Sequence, residues 1–221
     1  MSRQFAVIGL GRLGASLAKT LDTLGHEVLG IDPDEDLVQD LSVELPNVHL
    51  VAADASEASV LRDLGLEHFD AAAVVIGEKI QDSVLATLAL KDLGVPLVIA
   101  RAATPLHARV LEKVGADRVV QPETEMGEQL ARSMASPTAF LDYLDLGEGE
   151  ALMEIRVPKE WVGKSLANLH LYRKSGLTVL ALKSKGRKGV IPRGDTELHE
   201  GDVLIIGGPK ENLDRFEPLR V

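Results

Sequence analysis

The fold is decided by the stretch Phe5-Ala6-Val7-Ile8-Gly9-Leu10-Gly11-Arg12-Leu13-Gly14, near the start of a chain of 221 residues. A short apolar run passes directly into the spacing Gly-x-Gly-x-x-Gly, and a segment with helical periodicity follows it. A second apolar run, residues 27–31, then ends on Asp32. This order predicts a strand, a tight turn, a helix, a second strand and an acid, which is the arrangement of a nucleotide-binding βαβ unit.

Each part of this motif has a separate physical task. Gly9 permits the tight turn, Gly11 lets the backbone approach a pyrophosphate, and Gly14 lets the helix pack close to the strand. The helix N-terminus offers unpaired N–H groups to an anion. Asp32 is placed to accept hydrogen bonds from ribose hydroxyls and to repel a 2′-phosphate. The alternatives are a purely structural glycine turn and, for Asp32, a helix N-cap.

The composition narrows the class of protein. The formal net charge is −10, no basic stripe is present and aromatic residues make up only 3%, all of which argues against a nucleic-acid partner. The absence of cysteine excludes disulfides, thiolate metal sites and a cysteine nucleophile. Residues 1–4 lead straight into the first strand, and no apolar run is long enough to cross a bilayer. We expect a soluble, intracellular protein.

Strands and helices continue to alternate after Asp32. Short apolar runs separated by segments of helical spacing predict a Rossmann-like, doubly wound parallel sheet of the α/β class. The predicted strands are residues 5–8, 27–31, 48–52, 71–76, 97–100 and 118–120. We expect this nucleotide-binding domain to cover residues 1–136.

The alternation stops after residue 136. Residues 137–147 are predicted as a connector helix or linker, with a turn at 147–150. Residues 148–221 are predicted as a small α+β domain, because short apolar runs there are mixed with two helix candidates. The predicted strands are 151–157, 178–183 and 202–206, and the predicted helices are 165–172 and 211–216.

Further polar residues follow the predicted strands. Asp54 comes directly after the third strand, with Ala55 and Ser56, and could accept a hydrogen bond from an adenine amino group or cap a helix. Arg12 opens the first helix beside the phosphate turn, where it is either a phosphate ligand or an exposed cation. Arg101 ends the fifth strand at the ligand edge of such a sheet, with structural ion pairing as the alternative.

Six features of the sequence stand in this order: residues 9–14, Asp32, and residues 54–56, 73–77, 111–120 and 122–127. Together they resemble an RCK domain, the regulator of K⁺ conductance found in potassium channels and in Ktr/Trk-type transporters. Residues 161–166 and 201–207 are similar to the small C-terminal domain that accompanies it.

The resemblance implies a function. A cytosolic regulatory subunit of this kind binds ATP or ADP, with NAD(H) also bound by related members, and gates a membrane K⁺-translocating subunit of the KtrB or TrkH type. It forms homodimers that assemble into an octameric ring on the inner face of the cell membrane. The implied nucleotide-binding residues are Gly9, Gly11, Arg12, Leu13, Gly14, Asp32, Asp54, Ala55, Ser56, Gly77 and Arg101.

Two more ligands follow from the resemblance. Glu123 would help bind Mg²⁺ or Na⁺ beside the nucleotide phosphates, with helix capping as the competing role. The C-terminal domain of similar proteins can bind cyclic di-AMP. Here Tyr172 stands where relatives that bind it have an arginine, which argues against this ligand, although Pro192 is retained.

Catalytic residues are not apparent in the sequence. Tyr143 and Tyr172 are each followed by glycine where a short-chain dehydrogenase has lysine, and no Walker A lysine loop is present. The six histidines are scattered, with no pair at metal-ligand spacing. We therefore predict that the chain is not an enzyme, and keep an NAD-dependent oxidoreductase with a single Rossmann domain as the alternative.

Overall fold

The computed structural model describes residues 2–135, 140–184 and 191–216. The chain divides into two compact units, Met1–Pro122 and Glu123–Val221.

The first unit is a parallel sheet with helices between its strands. Its elements are β1 (Gln4–Ile8), α1 (Arg12–Thr23), β2 (Glu27–Asp32), α2 (Glu35–Glu44), β3 (His49–Ala52), α3 (Ala58–Asp63), β4 (Ala71–Val74), α4 (Ile80–Asp92), β5 (Val98–Arg101), α5 (Pro105–Lys113) and β6 (Arg118–Val120). The six strands lie in the order β3-β2-β1-β4-β5-β6. The predicted doubly wound sheet is confirmed, and its direction of winding reverses between β1 and β4, where such folds bind ligands.

Alternate residues of β1 point to opposite faces of the sheet, so each face has its own core. Ala6 and Ile8 belong to the cluster that buries Leu61 of α3 and Leu90 of α4. Val7 belongs to the cluster on the other face, together with the buried residues Leu10, Ala18, Val28, Leu41, Leu45, Val48 and Val75. A strand buried on both faces explains the continuous apolar run that predicted it.

An ion pair between Lys91 and Asp117 lies beside the first residue of β5. Asp117 Oδ2 accepts hydrogen bonds from the Val98 N–H at 2.6 Å and from Lys91 Nζ at 2.8 Å. The Lys91 ammonium and the Val98 N–H together hold the pKa of Asp117 below its ordinary value of 3.8. This carboxylate therefore joins α4, β5 and the start of β6.

The second unit begins within α6 (Pro122–Ala135) and contains an antiparallel sheet. The further elements are β7 (Phe140–Gly147), β8 (Glu150–Arg156), α7 (Leu166–Leu169), α8 (Leu171–Ser175), β9 (Thr178–Lys183), β10 (Val203–Pro209) and α9 (Lys210–Asp214). The strand order is β7-β8-β10-β9. Its core surrounds the buried Trp161, whose ring centroid lies 6.4 Å from that of Phe216. The predicted α+β character is confirmed.

The predicted connector helix is wrong. Residues 140–147 form β7, which pairs with β8 through the turn Glu148-Gly149. Both turn residues have positive φ, 52° and 84°, as two-residue hairpin turns require. The acids Asp142 and Asp145 are three residues apart, a spacing typical of a helix rather than of a strand. The pairing of β7 with β8 is irregular between Phe140 and Asp142 and again between Asp145 and Gly147, which explains why no period of two marks this strand. Residues 136–139, where the predicted domain and connector meet, lie outside the described residues.

Replacing Asp117 with Asn removes the anionic partner of Lys91. We expect the free energy of unfolding to fall by about 1–2 kcal/mol near neutral pH, as for a partly exposed charge-assisted hydrogen bond. Because folding lowers the pKa of Asp117, this stabilisation is present above the ordinary carboxyl pKa. It is lost as the pH falls through the folded-state value.

Urea denaturation of the wild type and Asp117→Asn, from neutral pH down to acidic pH, measures this difference. Asp92→Asn is the matched control, because Asp92 is an exposed acid next to Lys91 on α4. An equal loss of stability in both variants would contradict the role given to Asp117.

Candidate functional site

The turn between β1 and α1 is built on close backbone contact. Gly9 has φ 93°, and its N–H donates to the Ile31 carbonyl at 2.8 Å, which ties the turn to β2. A Cβ on Gly14 would lie 1.8 Å from the Gly9 carbonyl oxygen. Only glycine at this position lets α1 begin directly against the turn. The roles predicted for Gly9 and Gly14 in local packing match this geometry.

The N-terminus of α1 is open. Gly11 is its N-cap residue, no side chain among the described residues caps it, and its first turn contains no acid. A Cβ on Gly11 would meet no protein atom within 4 Å. Leu13 is partly exposed, and the exposed Arg12 has no ion pair within the described part of the chain. The backbone N–H groups that begin α1 therefore face an open space beside the turn, and Arg12 is the first residue of that helix.

Asp32 accepts hydrogen bonds both from this turn and from the loop between β2 and α2. Its Oδ2 accepts from the Leu10 N–H at 2.7 Å, and its Oδ1 accepts from the Asp34 N–H at 3.1 Å. The N-cap of α2 is Asp34, which accepts from the Leu37 N–H, so the N-cap alternative for Asp32 is wrong. A carboxylate has about four acceptor positions, so two remain for ribose hydroxyls.

Asp54 lies on the neighbouring loop, because the Ala53 N–H donates to the Asp32 carbonyl at 3.0 Å. The N-cap of α3 is Glu57, so Asp54 does not cap that helix. Asp54 Oδ1 instead accepts from the Ser56 hydroxyl at 2.7 Å and from the Ser56 N–H at 2.9 Å. These two bonds hold the pKa of Asp54 below its ordinary value, and the charge of Lys79 adds a smaller effect. The carboxylate is exposed and ionised, and Ala55 beside it is buried.

The structure brings Gly77 and Arg101 together. Arg101 Nη1 donates to the Ile76 carbonyl at 3.3 Å, and a Cβ on Gly77 would lie 3.6 Å from the same nitrogen. The guanidinium thus joins the end of β5 to the loop after β4. Lys79, two residues beyond Gly77, was missed in the sequence although it lies on the same loop.

The first unit therefore gathers most of the predicted site at one edge of its sheet. Five neighbouring strands end there, and part of the candidate site lies at the last residue of each strand or in the loop after it. In the order of the sheet, the residues are Asp54 with Ala55 and Ser56, Asp32, the turn with Gly9, Gly11, Arg12, Leu13 and Gly14, then Gly77, and Arg101. This edge is where parallel α/β sheets bind ligands.

Glu123 belongs to the second unit, in the first turn of α6. A carboxylate there is favoured by the helix dipole, which supports the capping role considered above. Among the described residues, no three His, Cys, Asp or Glu side chains are grouped so that they could hold a metal ion.

The second unit contains an open groove of about 290 Å³. Tyr172 and Pro192 both line it, together with Arg173 and Arg193. Among the described residues that line it there is no acid, although the chain as a whole is acidic. His170, with φ 51°, separates α7 from α8, so the single helix predicted over residues 165–172 is interrupted at this groove.

None of the helices that the structure describes is both long and apolar enough to span a bilayer.

Comparison with known proteins assigns both units. The TrkA-N domain profile matches residues 5–122, and the TrkA-C domain profile matches residues 152–220. The Ktr system potassium uptake protein C of Bacillus subtilis is 40% identical over 217 residues, which cover 98% of this chain and 97% of the relative. The chain belongs to the Ktr/TrkA family. Protein A of the Ktr system of the same organism is 39% identical over 216 residues, covering 98% of this chain and 96% of that relative.

Solved structures agree on the fold of this family member. A structure of the GsuK channel superposes with a TM-score of 0.71 at 20% identity, covering 97% of this chain and 38% of that one. GsuK bound to NAD superposes with a TM-score of 0.68 at 21% identity, covering 96% of this chain and 38% of that one. The chain thus spans less than half of the channel. At this level of identity the likeness establishes the RCK fold alone.

Replacing Gly14 with Ala forces a side chain into the Gly9 carbonyl. We expect the free energy of unfolding to fall by more than about 3 kcal/mol, because the helix must move away from the turn. Gly11→Ala should cost about 1 kcal/mol or less, since its Cβ enters open space. Urea denaturation followed by circular dichroism compares the two variants. Equal stabilities would show that α1 does not need the close contact at Gly14.

Proposed function

We propose that this chain is the nucleotide-sensing regulatory subunit of a Ktr/Trk-type potassium uptake system. The observation that carries the proposal is the uncapped N-terminus of α1, open above Gly11 and bordered by Asp32. The near full-length identity to Ktr system proteins supports the transport role.

The ligand is ATP or ADP. Its phosphates lie over the turn from Gly9 to Gly14, where backbone N–H groups and the positive end of the helix dipole attract an anion. Its ribose hydroxyls donate to Asp32, and its adenine amino group donates to Asp54 in the neighbouring loop. Both carboxylates are already held by backbone N–H groups, so little ordering is needed when the ligand binds.

ATP and ADP stabilise two different conformations of the subunit. A ligand shifts a conformational equilibrium only through interactions that differ between the two conformations. The two nucleotides differ at the γ-phosphate, and Arg12 supplies the guanidinium that contacts it, in its own subunit or in a neighbouring one. The exposed position of Arg12 at the start of α1 is compatible with both arrangements.

Glu123 binds a cation, Mg²⁺ or Na⁺, that is completed by the phosphate oxygens. A single carboxylate together with phosphates is a common environment for Mg²⁺. The bound cation reduces the repulsion between Glu123 and the nucleotide.

The subunits form homodimers that assemble into an octameric ring at the inner face of the membrane. In support, α4 and α5 expose apolar side chains that an isolated subunit would leave in water, with Leu106 70% exposed. The others on these two helices are Ile80, Leu85, Leu88 and Val110. The ring contacts a membrane K⁺-translocating subunit of the KtrB or TrkH type. Mass photometry of the purified chain tests the octamer directly.

Cyclic di-AMP is a second candidate ligand, favoured by one observation. Arg173, Arg193 and Pro192 line the groove of the second unit, and no acid is found among its described lining residues. Arg173 and Arg193 can supply the phosphate contact that is lost where Tyr172 replaces the arginine of relatives, because a guanidinium binds phosphate through paired N–H donors. Titration of the chain with cyclic di-AMP tests this ligand separately from ATP.

The alternative function is that of an NAD-dependent oxidoreductase, which would use the same turn from Gly9 to Gly14 and the same Asp32. Isothermal titration with ATP, ADP, NAD⁺ and NADH, with and without Mg²⁺, ranks the ligands. We expect the adenine nucleotides to bind and NADH not to be consumed when carbonyl compounds are added. Catalytic NADH oxidation would favour the oxidoreductase, and no binding of any of the four would overturn the site.

Replacing Arg12 with Ala should separate ATP from ADP. Loss of a charge-assisted contact to the γ-phosphate should weaken ATP binding by about tenfold or more, while ADP binding changes by about threefold or less. Isothermal titration measures both constants. Lys19→Ala is the matched control, since it removes an exposed cation from the same helix. Equal losses for ATP and ADP would contradict the role of Arg12.

A further inference from the structure

His107 is a buried histidine just beyond the Arg101 end of the site. It is 2% exposed, in the first turn of α5. Its ring Nδ1 accepts a hydrogen bond from the Ala103 N–H at 3.2 Å, and its own backbone N–H donates to the Thr104 hydroxyl at 3.1 Å. One side chain therefore holds the short loop that joins β5 to α5.

This geometry requires a neutral ring. A nitrogen that accepts a hydrogen bond carries no proton, so the proton of the neutral imidazole is on Nε2. Nε2 is buried, and its N–H has no acceptor among the described residues. The second N–H of a charged ring would form on Nδ1, directly facing the Ala103 N–H. Burial lowers the pKa of His107, and the positive charge of Arg101 lowers it further.

Charged residues lie on α5 itself, namely Arg109, Glu112 and Lys113, and on the elements packed against it. Arg101 on β5 is the charged group that acts on its ring. α4 and β6 also pack against α5. Their charged residues, none of which contributes to the pKa shift of His107, are Asp82, Lys91, Asp92 and Arg118. Lys91 is engaged with Asp117 at the start of β5.

The loop that His107 holds leads directly to Arg101. Ala102 is buried, and its N–H donates to the Val120 carbonyl at 2.9 Å, so the chain between Arg101 and Thr104 is fastened at both ends. Arg101 in turn donates to the carbonyl of Ile76, beside Gly77. Loss of the Ala103 bond removes one of the bonds that hold this loop near α5, and leaves those of Thr104, which accepts from the His107 and Ala108 N–H groups.

We propose that His107 is a positioning residue of the nucleotide site: its neutral ring holds the β5–α5 loop and thereby Arg101, and protonation of the ring weakens nucleotide binding. The inference rests on the function proposed above and adds acid sensitivity to it.

The direction of the effect follows from the contacts. A protonated ring has N–H groups on both nitrogens, so it cannot accept from Ala103, and it places a second cation near Arg101. The imidazolium form therefore favours an opened loop, and the nucleotide binds the closed one. Because folding lowers the pKa, the stabilisation by His107 is present above its ordinary value of 6.5. It is lost as the pH falls through the folded-state value.

Titration of ATP at mildly alkaline and mildly acidic pH, with four proteins, tests the proposal. The variant His107→Asn keeps an acceptor near the Nδ1 position but does not titrate, whereas His107→Leu has no acceptor. His68→Asn removes an exposed histidine from the same unit. Protonation of ATP itself affects all four proteins equally, so differences between them isolate His107.

On acidification, the wild type and His68→Asn should lose at least about fivefold more affinity than His107→Asn, the lower end of coupling energies between sites. At alkaline pH His107→Leu should bind weakly, and His107→Asn should recover most of that loss. An equal pH dependence in the wild type and His107→Asn would overturn the proposal, as would tight binding by His107→Leu.

The wild-type result distinguishes a failure of the proposed function from a failure of this inference alone. If it binds no nucleotide at either pH, the proposed function fails together with this inference. If it binds and His107→Asn follows it, only the inference fails. Should His107→Leu not fold, ¹⁵N NMR of the wild-type ring decides. Nucleotide should lower the pKa of His107, and an unchanged or raised pKa would contradict the proposal.

Discussion

The close contact between Gly14 and the Gly9 carbonyl is the constraint on which the rest of the site depends. It allows α1 to begin immediately against the turn that follows β1, at the edge where the sheet reverses its winding. The uncapped end of the helix is thereby aimed at open space. Asp32 then fastens the same turn through the Leu10 N–H. The phosphate end and the ribose end of the candidate site are thus held by one short piece of backbone.

The electrostatics of the site fit a sensor of an anion in an acidic protein. The chain carries a net charge of −10, so long-range attraction does not collect nucleotides. Under the proposed function, binding depends instead on local donors, namely the backbone N–H groups of the α1 turn and the guanidinium groups of Arg12 and Arg101. The phosphate that distinguishes ATP from ADP would then shift the balance between conformations only through such local contacts. The relation to Ktr system proteins gives this balance its proposed output, potassium transport.

Much of this could be predicted from the sequence, for identifiable reasons. The glycine spacing and alternating apolar runs predicted the sheet, because parallel strands must be buried on both faces. β7 was mistaken for a helix, because Asp142 and Asp145 are three residues apart and the irregular pairing with β8 leaves no period of two in the sequence. The N-cap alternatives for Asp32 and Asp54 could be resolved only when hydrogen-bond partners were known. His107 carried no sequence signal, because its importance lies in burial and in one bond to Ala103.

We propose above that a nucleotide bound at the α1 turn controls potassium flux through the membrane-spanning subunit. Flux should be measured in liposomes that contain the membrane-spanning subunit co-purified with this chain, with ATP or ADP added. The wild-type chain should give different fluxes with the two nucleotides, and Asp32→Ala should give the same flux with both. A wild-type flux that is identical with ATP, with ADP and without nucleotide would contradict the account.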